Sequence, residues 1–112
     1  PRGAGSFARV LGRYVREKNL LSLKEALAKM TILPAQRLES YVPMMKYKGR
    51  LKKGADADIT IFNATTILDK ATFEKPMQYS AGVHHVIVNG EFVVENGVSV
   101  KNTFPGIAIR NK

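Results

Sequence analysis

The sequence predicts an α+β fold with helices first and strands after. Three observations carry that reading. Apolar residues in the first forty positions recur with helical spacing, the period changes to two near Lys46, and two Asn-Gly pairs punctuate a β-rich run near the end. Helices followed by strands fit either one α+β domain or helices of one domain joined to strands of another.

The first helix is predicted from Phe7, Val10, Leu11, Tyr14 and Val15, which fall on one stripe. Ser6 is the expected N-cap after a flexible "RGAG", and Asn19 the expected left-handed exit. Arg9, Arg13, Arg16 and Lys18 lie mostly off the stripe and read as a solvated face. Ser22 with Glu25 three residues on is a capping box for a second helix, whose stripe is Leu23, Ala26, Leu27 and Met30. Thr31 is expected to cap a short third helix that takes Pro34 in its first turn and turns Ala35 and Leu38 inward. Ser40 to Met45 reads as a connector.

In "KYKGRLK" alternation puts Lys46, Lys48, Arg50 and Lys52 on one strand face and Tyr47, Gly49 and Leu51 on the other. "DITIF", Asp58 to Phe62, is a β-branched strand, and the stretch from Ala64 to Gly82 an irregular excursion. Asn89-Gly90 and Asn96-Gly97 suit type I′ turns, so "HVIVNGEFVVENGVSV" predicts a three-stranded meander. The tail "NTFPGIAIRNK" is expected to add a short edge segment.

The composition bounds the function. The chain has 112 residues, enough for one modest core, with 45% apolar and 24% charged residues and a formal charge of +9. No apolar run approaches the ~20 residues of a membrane span, so no membrane partner is expected. The absence of cysteine excludes disulfides and thiolate metal sites and fits a cytoplasmic protein. Pro1 is not an initiator residue, which leads us to expect a piece of a longer chain.

The basic run from Lys46 raises the possibility of a nucleic-acid contact, but such a strand face wants aromatics beside the charge. Tyr47 points to the opposite side, so a solvated edge strand is the favoured reading. Asp56 and Asp58 are spaced to share a strand face, yet Gly54 and Ala55 mark a turn, which favours a turn and a strand start over a catalytic pair. His84 and His85 are adjacent, point to opposite faces of a strand and do not jointly chelate an ion. "RGAGSF" follows no strand and lacks a P-loop lysine, and no Gly-x-Ser-x-Gly elbow exists. The residues by themselves contain no catalytic constellation.

The order of segments is more telling than any one of them. "PRGAGSFARVLGRYVREKNLLSLKEALAKMTILPAQRL", "KGRLKKGADADITIFN", "GVHHVIVNGEFVVENG" and "PGIAIR" together resemble the carboxyl-terminal quarter of a metal-dependent amidohydrolase. The likeness is greatest to the N-acyl-D-amino-acid deacylases (D-aminoacylases), with dihydroorotases and hydantoinases more distant. It implies that residues 1–40 are the last helices of a (β/α)8 barrel and that residues 41–112 are part of a small β-sandwich. It also implies that "KGADAD" is a turn and strand remote from any metal. The parent would hydrolyse the amide of an N-acyl amino acid, a small-molecule substrate, with water activated by zinc or another divalent metal. The metal ligands and the catalytic aspartate would precede Pro1, so this chain alone is expected to bind no metal and to turn nothing over. Arg2 matches the arginine of a His-Pro-Arg motif that resembles a clamp for the substrate carboxylate. In the isolated chain a frayed terminus is the favoured reading of Arg2, and Gly3 and Ala4 depart from the bulkier residues expected there. The alternative from another class is a small basic nucleic-acid-binding module.

Overall fold

The fold is a computed structural model that describes residues 2–111, the side chain of Arg2 excepted. Helix α1 (Arg2–Arg9) runs without a break into a π-helical segment, Val10–Glu17. There the Lys18 N–H donates five residues back to the Arg13 carbonyl at 2.9 Å. Helices α2 (Leu23–Met30) and α3 (Ile32–Leu38) follow, then a 3₁₀ turn at Pro43–Tyr47. Strands β1 (Ile59–Phe62), β2 (Val83–Val88), β3 (Glu91–Glu95) and β4 (Val98–Ser99) form an antiparallel sheet in sequence order. The α+β order read from the sequence therefore holds.

Local chemistry accounts for most boundaries. The Ser22–Glu25 capping box is complete, with the Ser22 N–H donating to Glu25 at 2.7 Å and the Glu25 N–H donating to the Ser22 hydroxyl. The Ser22 bonds hold the Glu25 carboxyl below its ordinary pKa. Asn19 leaves the helix with φ +51°, as its side chain tolerates. Both meander turns have positive φ at both central residues, Asn89-Gly90 and Asn96-Gly97, which is the type I′ requirement.

Several expectations fail. The first helix begins at Arg2, so Ser6 lies inside it rather than capping it, and "RGAG" is helical. Its buried stripe is Gly5, Ala8, Leu11 and Gly12, while Phe7 and Tyr14 are exposed. The inward face is rotated toward the small residues because backbone from another segment approaches there. A Cβ on Gly12 would sit 2.5 Å from the Ile67 carbonyl oxygen. Thr31 does not cap α3; its hydroxyl donates instead to the Leu27 carbonyl at 2.7 Å, and Leu38 is exposed although Ala35 is buried. The alternating strand at Lys46–Lys52 does not exist. Gly49 takes φ +68° under the Thr31 carbonyl, a conformation that breaks any ladder. Finally, the tail beyond Ser99 forms no strand among the described residues.

The core sits where the first helix, α2 and the start of the sheet meet. Ala8, Leu11, Ala26 and Ile67 are buried together, with Leu27, Met30, Phe62 and Val83 packed partly around them. Ile67 comes from the excursion between β1 and β2, which is pinned by its bridge from Leu68 to Ala81.

Candidate functional site

Arg2 is the one binding residue expected from the sequence. Its backbone opens α1, and its side chain lies outside the described residues. The remaining charged residues of interest fall into two clamps.

The first clamp resolves the basic run and the two aspartates together. Because Gly49 turns the chain, Lys48 folds back over the segment it precedes. Its Nζ lies 2.9 Å from Asp56 and donates to Asp58 Oδ2 at 2.6 Å, with only 14% of its side chain exposed. The other oxygen of Asp58 accepts the Asn89 N–H at 2.8 Å, and the Gly90 N–H donates to the Ala57 carbonyl. One lysine thus ties the approach to β1 to the β2–β3 turn. Burial alone would lower the Lys48 pKa, but the hydrogen bonds to Asp58 and Asp56 outweigh it and leave the ammonium raised. The hydrogen bond from Lys48 holds the Asp58 carboxyl below its ordinary range, against partial desolvation and helped by the Asn89 N–H. Next to this pair, Arg50 donates to Glu39 at 2.9 Å and to the Lys48 carbonyl, joining the end of α3 to the same loop. An open cleft of about 490 Å³ runs between Thr31, Pro34, Met45, Lys48 and Asn89. Its charges are spent on one another, which is structural chemistry.

The second clamp holds the excursion onto the first helix. Arg9 donates to Asp69 at 2.9 Å, and Arg16 donates to the carbonyls of Ile67 at 2.7 Å and Ala64 at 3.2 Å. Arg9 and Arg16 are seven residues apart, as are Gly5 and Gly12, so both pairs recur on one side of the helix. Two residues read as a solvated face therefore bind backbone and carboxylate. The seven-residue repeat of a glycine followed four positions on by an arginine, Gly5 with Arg9 and Gly12 with Arg16, was the available signal.

The histidines behave as their adjacency requires. His84 is exposed, while His85 packs edge-on to Phe92 at 5.5 Å and accepts the Asn96 N–H. No cluster of three His, Cys, Asp or Glu side chains able to hold a metal exists among the described residues. These residues do not fit a catalytic metal. Among the same residues, no helix is long and apolar enough to cross a membrane. Lys48 and Arg50, the centre of the supposed nucleic-acid face, are both engaged internally.

Comparison with known proteins gives consistent matches. The sequence profile of the amidohydrolase family matches residues 2–94. The N-acyl-D-glutamate deacylase of Alcaligenes xylosoxydans xylosoxydans is 53% identical over 90 residues, which cover 80% of this chain and 17% of that protein. A crystal structure of the N-acyl-D-glutamate deacylase from Bordetella bronchiseptica, complexed with zinc and a phosphonate inhibitor, is 45% identical with a TM-score of 0.71. It aligns over 79% of this chain and 18% of that one. A D-aminoacylase studied for its binuclear metal centre aligns with a TM-score of 0.78 at 38% identity, over 87% of this chain and 19% of that one. The chain spans about a sixth of the length of the curated relatives it matches.

Proposed function

The chain belongs to the amidohydrolase family, and on that premise we propose that it is the carboxyl-terminal portion of a metal-dependent deacylase of N-acyl-D-amino acids. The observation that carries the reading is the 53% identity to an N-acyl-D-glutamate deacylase over 90 residues. Residues 1–40 are then the last helices of the catalytic barrel, and residues 41–112 a share of the small β-sandwich. The role of this portion is scaffolding: the two clamps fix helices, excursion and sheet as one block, and the metal ligands lie elsewhere in the longer chain.

Within the proposed enzyme Arg2 is the candidate clamp for the substrate carboxylate. A guanidinium offers two parallel N–H donors to a carboxylate, which a lysine cannot reproduce. Replacing Arg2 by Lys in the full-length enzyme is expected to raise KM at least tenfold, roughly the 1.4 kcal/mol of one charge-assisted bond.

The test is hydrolysis by the zinc-loaded full-length protein of N-acetyl-D-glutamate, N-acetyl-D-aspartate and neutral N-acetyl-D-amino acids, each beside its L enantiomer. Release of free D-amino acid, with the L forms untouched, is the expected result. Failure on every D substrate overturns the reading.

A further inference from the structure

We propose that the Asn96-Gly97 turn is a site of spontaneous deamidation, and that Asn89-Gly90, the same dipeptide in the same turn type, is shielded from it by the Lys48 clamp. Asparagine is a thermolabile side chain, and a glycine after it presents a backbone nitrogen that no Cβ hinders. In the reaction the glycine nitrogen attacks the asparagine Cγ. A C–N bond forms and closes a succinimide, while the bond from Cγ to the side-chain nitrogen breaks. That nitrogen leaves as ammonia with the proton the glycine gives up. Water then opens the ring at one carbonyl or the other, giving aspartate or its β-linked isomer. The net change converts an amide and a water to a carboxylic acid and ammonia, with nothing oxidised or reduced.

Access does not separate the two turns. Both are exposed, both have positive φ at both central residues, and nothing lies within 4 Å of where a Gly90 Cβ would stand. What separates them is how firmly each is held. A fixed type I′ turn has to open before the nitrogen reaches Cγ, and the glycine N–H has to leave its acceptor, so the rate follows local opening.

At the first turn the Asn89 N–H donates to the Asp58 carboxylate at 2.8 Å and the Gly90 N–H to the Ala57 carbonyl at 3.1 Å. Lys48 holds Asp58 in turn at 2.6 Å, and the strands this turn joins, β2 and β3, have six and five residues. At the second turn the Gly97 N–H donates to the His84 carbonyl at 2.8 Å, but the Asn96 N–H reaches only a ring nitrogen of His85, at 3.3 Å. Its outgoing strand, β4, has two residues, both exposed, at the edge of the sheet. An open cleft of about 390 Å³ lies between that strand and Tyr79 and Val83, so β4 is poorly backed. A short, exposed edge of this kind opens at the least cost. The clamp, by contrast, preserves the asparagine whose backbone it holds.

Peptide mass spectrometry of the full-length protein, aged at mildly alkaline pH, follows the amide-to-acid mass gain at each asparagine, with aspartate and isoaspartate products separated by chromatography. Asn96 is expected to convert about tenfold faster than Asn89, or more, as one retained hydrogen bond to a charged group implies, and to give both products. Equal rates, faster conversion at Asn89, or an Asn96 still intact when an unfolded peptide of residues 92–100 has converted overturns the inference. Aspartate without its isomer overturns the succinimide route. Asp58→Ala frees the Asn89 amide and is expected to raise the Asn89 rate alone, towards that of Asn96. An unchanged Asn89 rate, or an equal rise at both sites, overturns the shield.

Discussion

Lys48 is the residue on which the loop between α3 and β1 depends, since it faces two carboxylates at once and is mostly buried. Lys48→Met removes the cation and leaves Asp56 and Asp58 facing each other. The cost lies between that of an exposed and a buried pair, about 2 kcal/mol, read as a shift in the urea midpoint. Converting Asp58 to Asn in that background is expected to recover part of it, which a double-mutant cycle measures. The pH dependence follows from the two directions of shift. Asp58 has a depressed pKa, so its contribution is present above the unfolded value of about 3.9 and is lost as pH falls through the lower folded value. Lys48 has a raised pKa, so its contribution is present below the unfolded value of about 10.4 and is lost as pH rises through the higher folded one. Hydrogen exchange at the Asn89 amide should therefore be flat with respect to this clamp across neutral pH, once intrinsic rates are removed. It should accelerate only below about pH 4 and at strongly alkaline pH.

At the scale of elements, backbone proximity decides what periodicity does not. The capping box, the two Asn-Gly turns and the "DITIF" strand were legible because each is a local rule satisfied by neighbouring residues. The buried face of the first helix was not, because large apolar residues mark a stripe only when side chains fill the gap between elements. Here the excursion brings backbone against Gly12, so small residues face inward and Phe7 and Tyr14 stay out. Gly12→Ala should destabilise the chain by about 1–3 kcal/mol, since the Ile67 carbonyl must move. Gly3→Ala meets nothing within 4 Å and should be neutral or slightly stabilising. Thermal unfolding of the two variants separates them. Alternation at Lys46–Lys52 misled for a related reason: it is a real pattern of residue types, but Gly49 at positive φ cannot continue a strand under the Thr31 carbonyl. The pairing of Lys48 with Asp56 and Asp58 depends on that turn and is invisible to any strand reading.

For the whole molecule, the charge of +9 is the property most open to misreading. Lys48, Arg50, Arg9 and Arg16 each have an internal partner, so these four cations are engaged within the fold. Binding to duplex or single-stranded nucleic acid should occur at low salt and disappear at physiological salt. Affinity in the micromolar range that persists there would revive the nucleic-acid reading. The fold class and family were legible because motif order is read along the chain, whereas pairs brought together from distant positions, such as Arg9 with Asp69, are not. In the proposed enzyme these residues support catalysis without performing it. The most direct test is hydrolysis of an N-acyl-D-amino acid, titrated with zinc, by the isolated 112 residues beside the full-length protein. Turnover by the full-length protein and none by the isolated residues at any zinc concentration is expected; zinc-dependent turnover by the isolated residues overturns that division of roles.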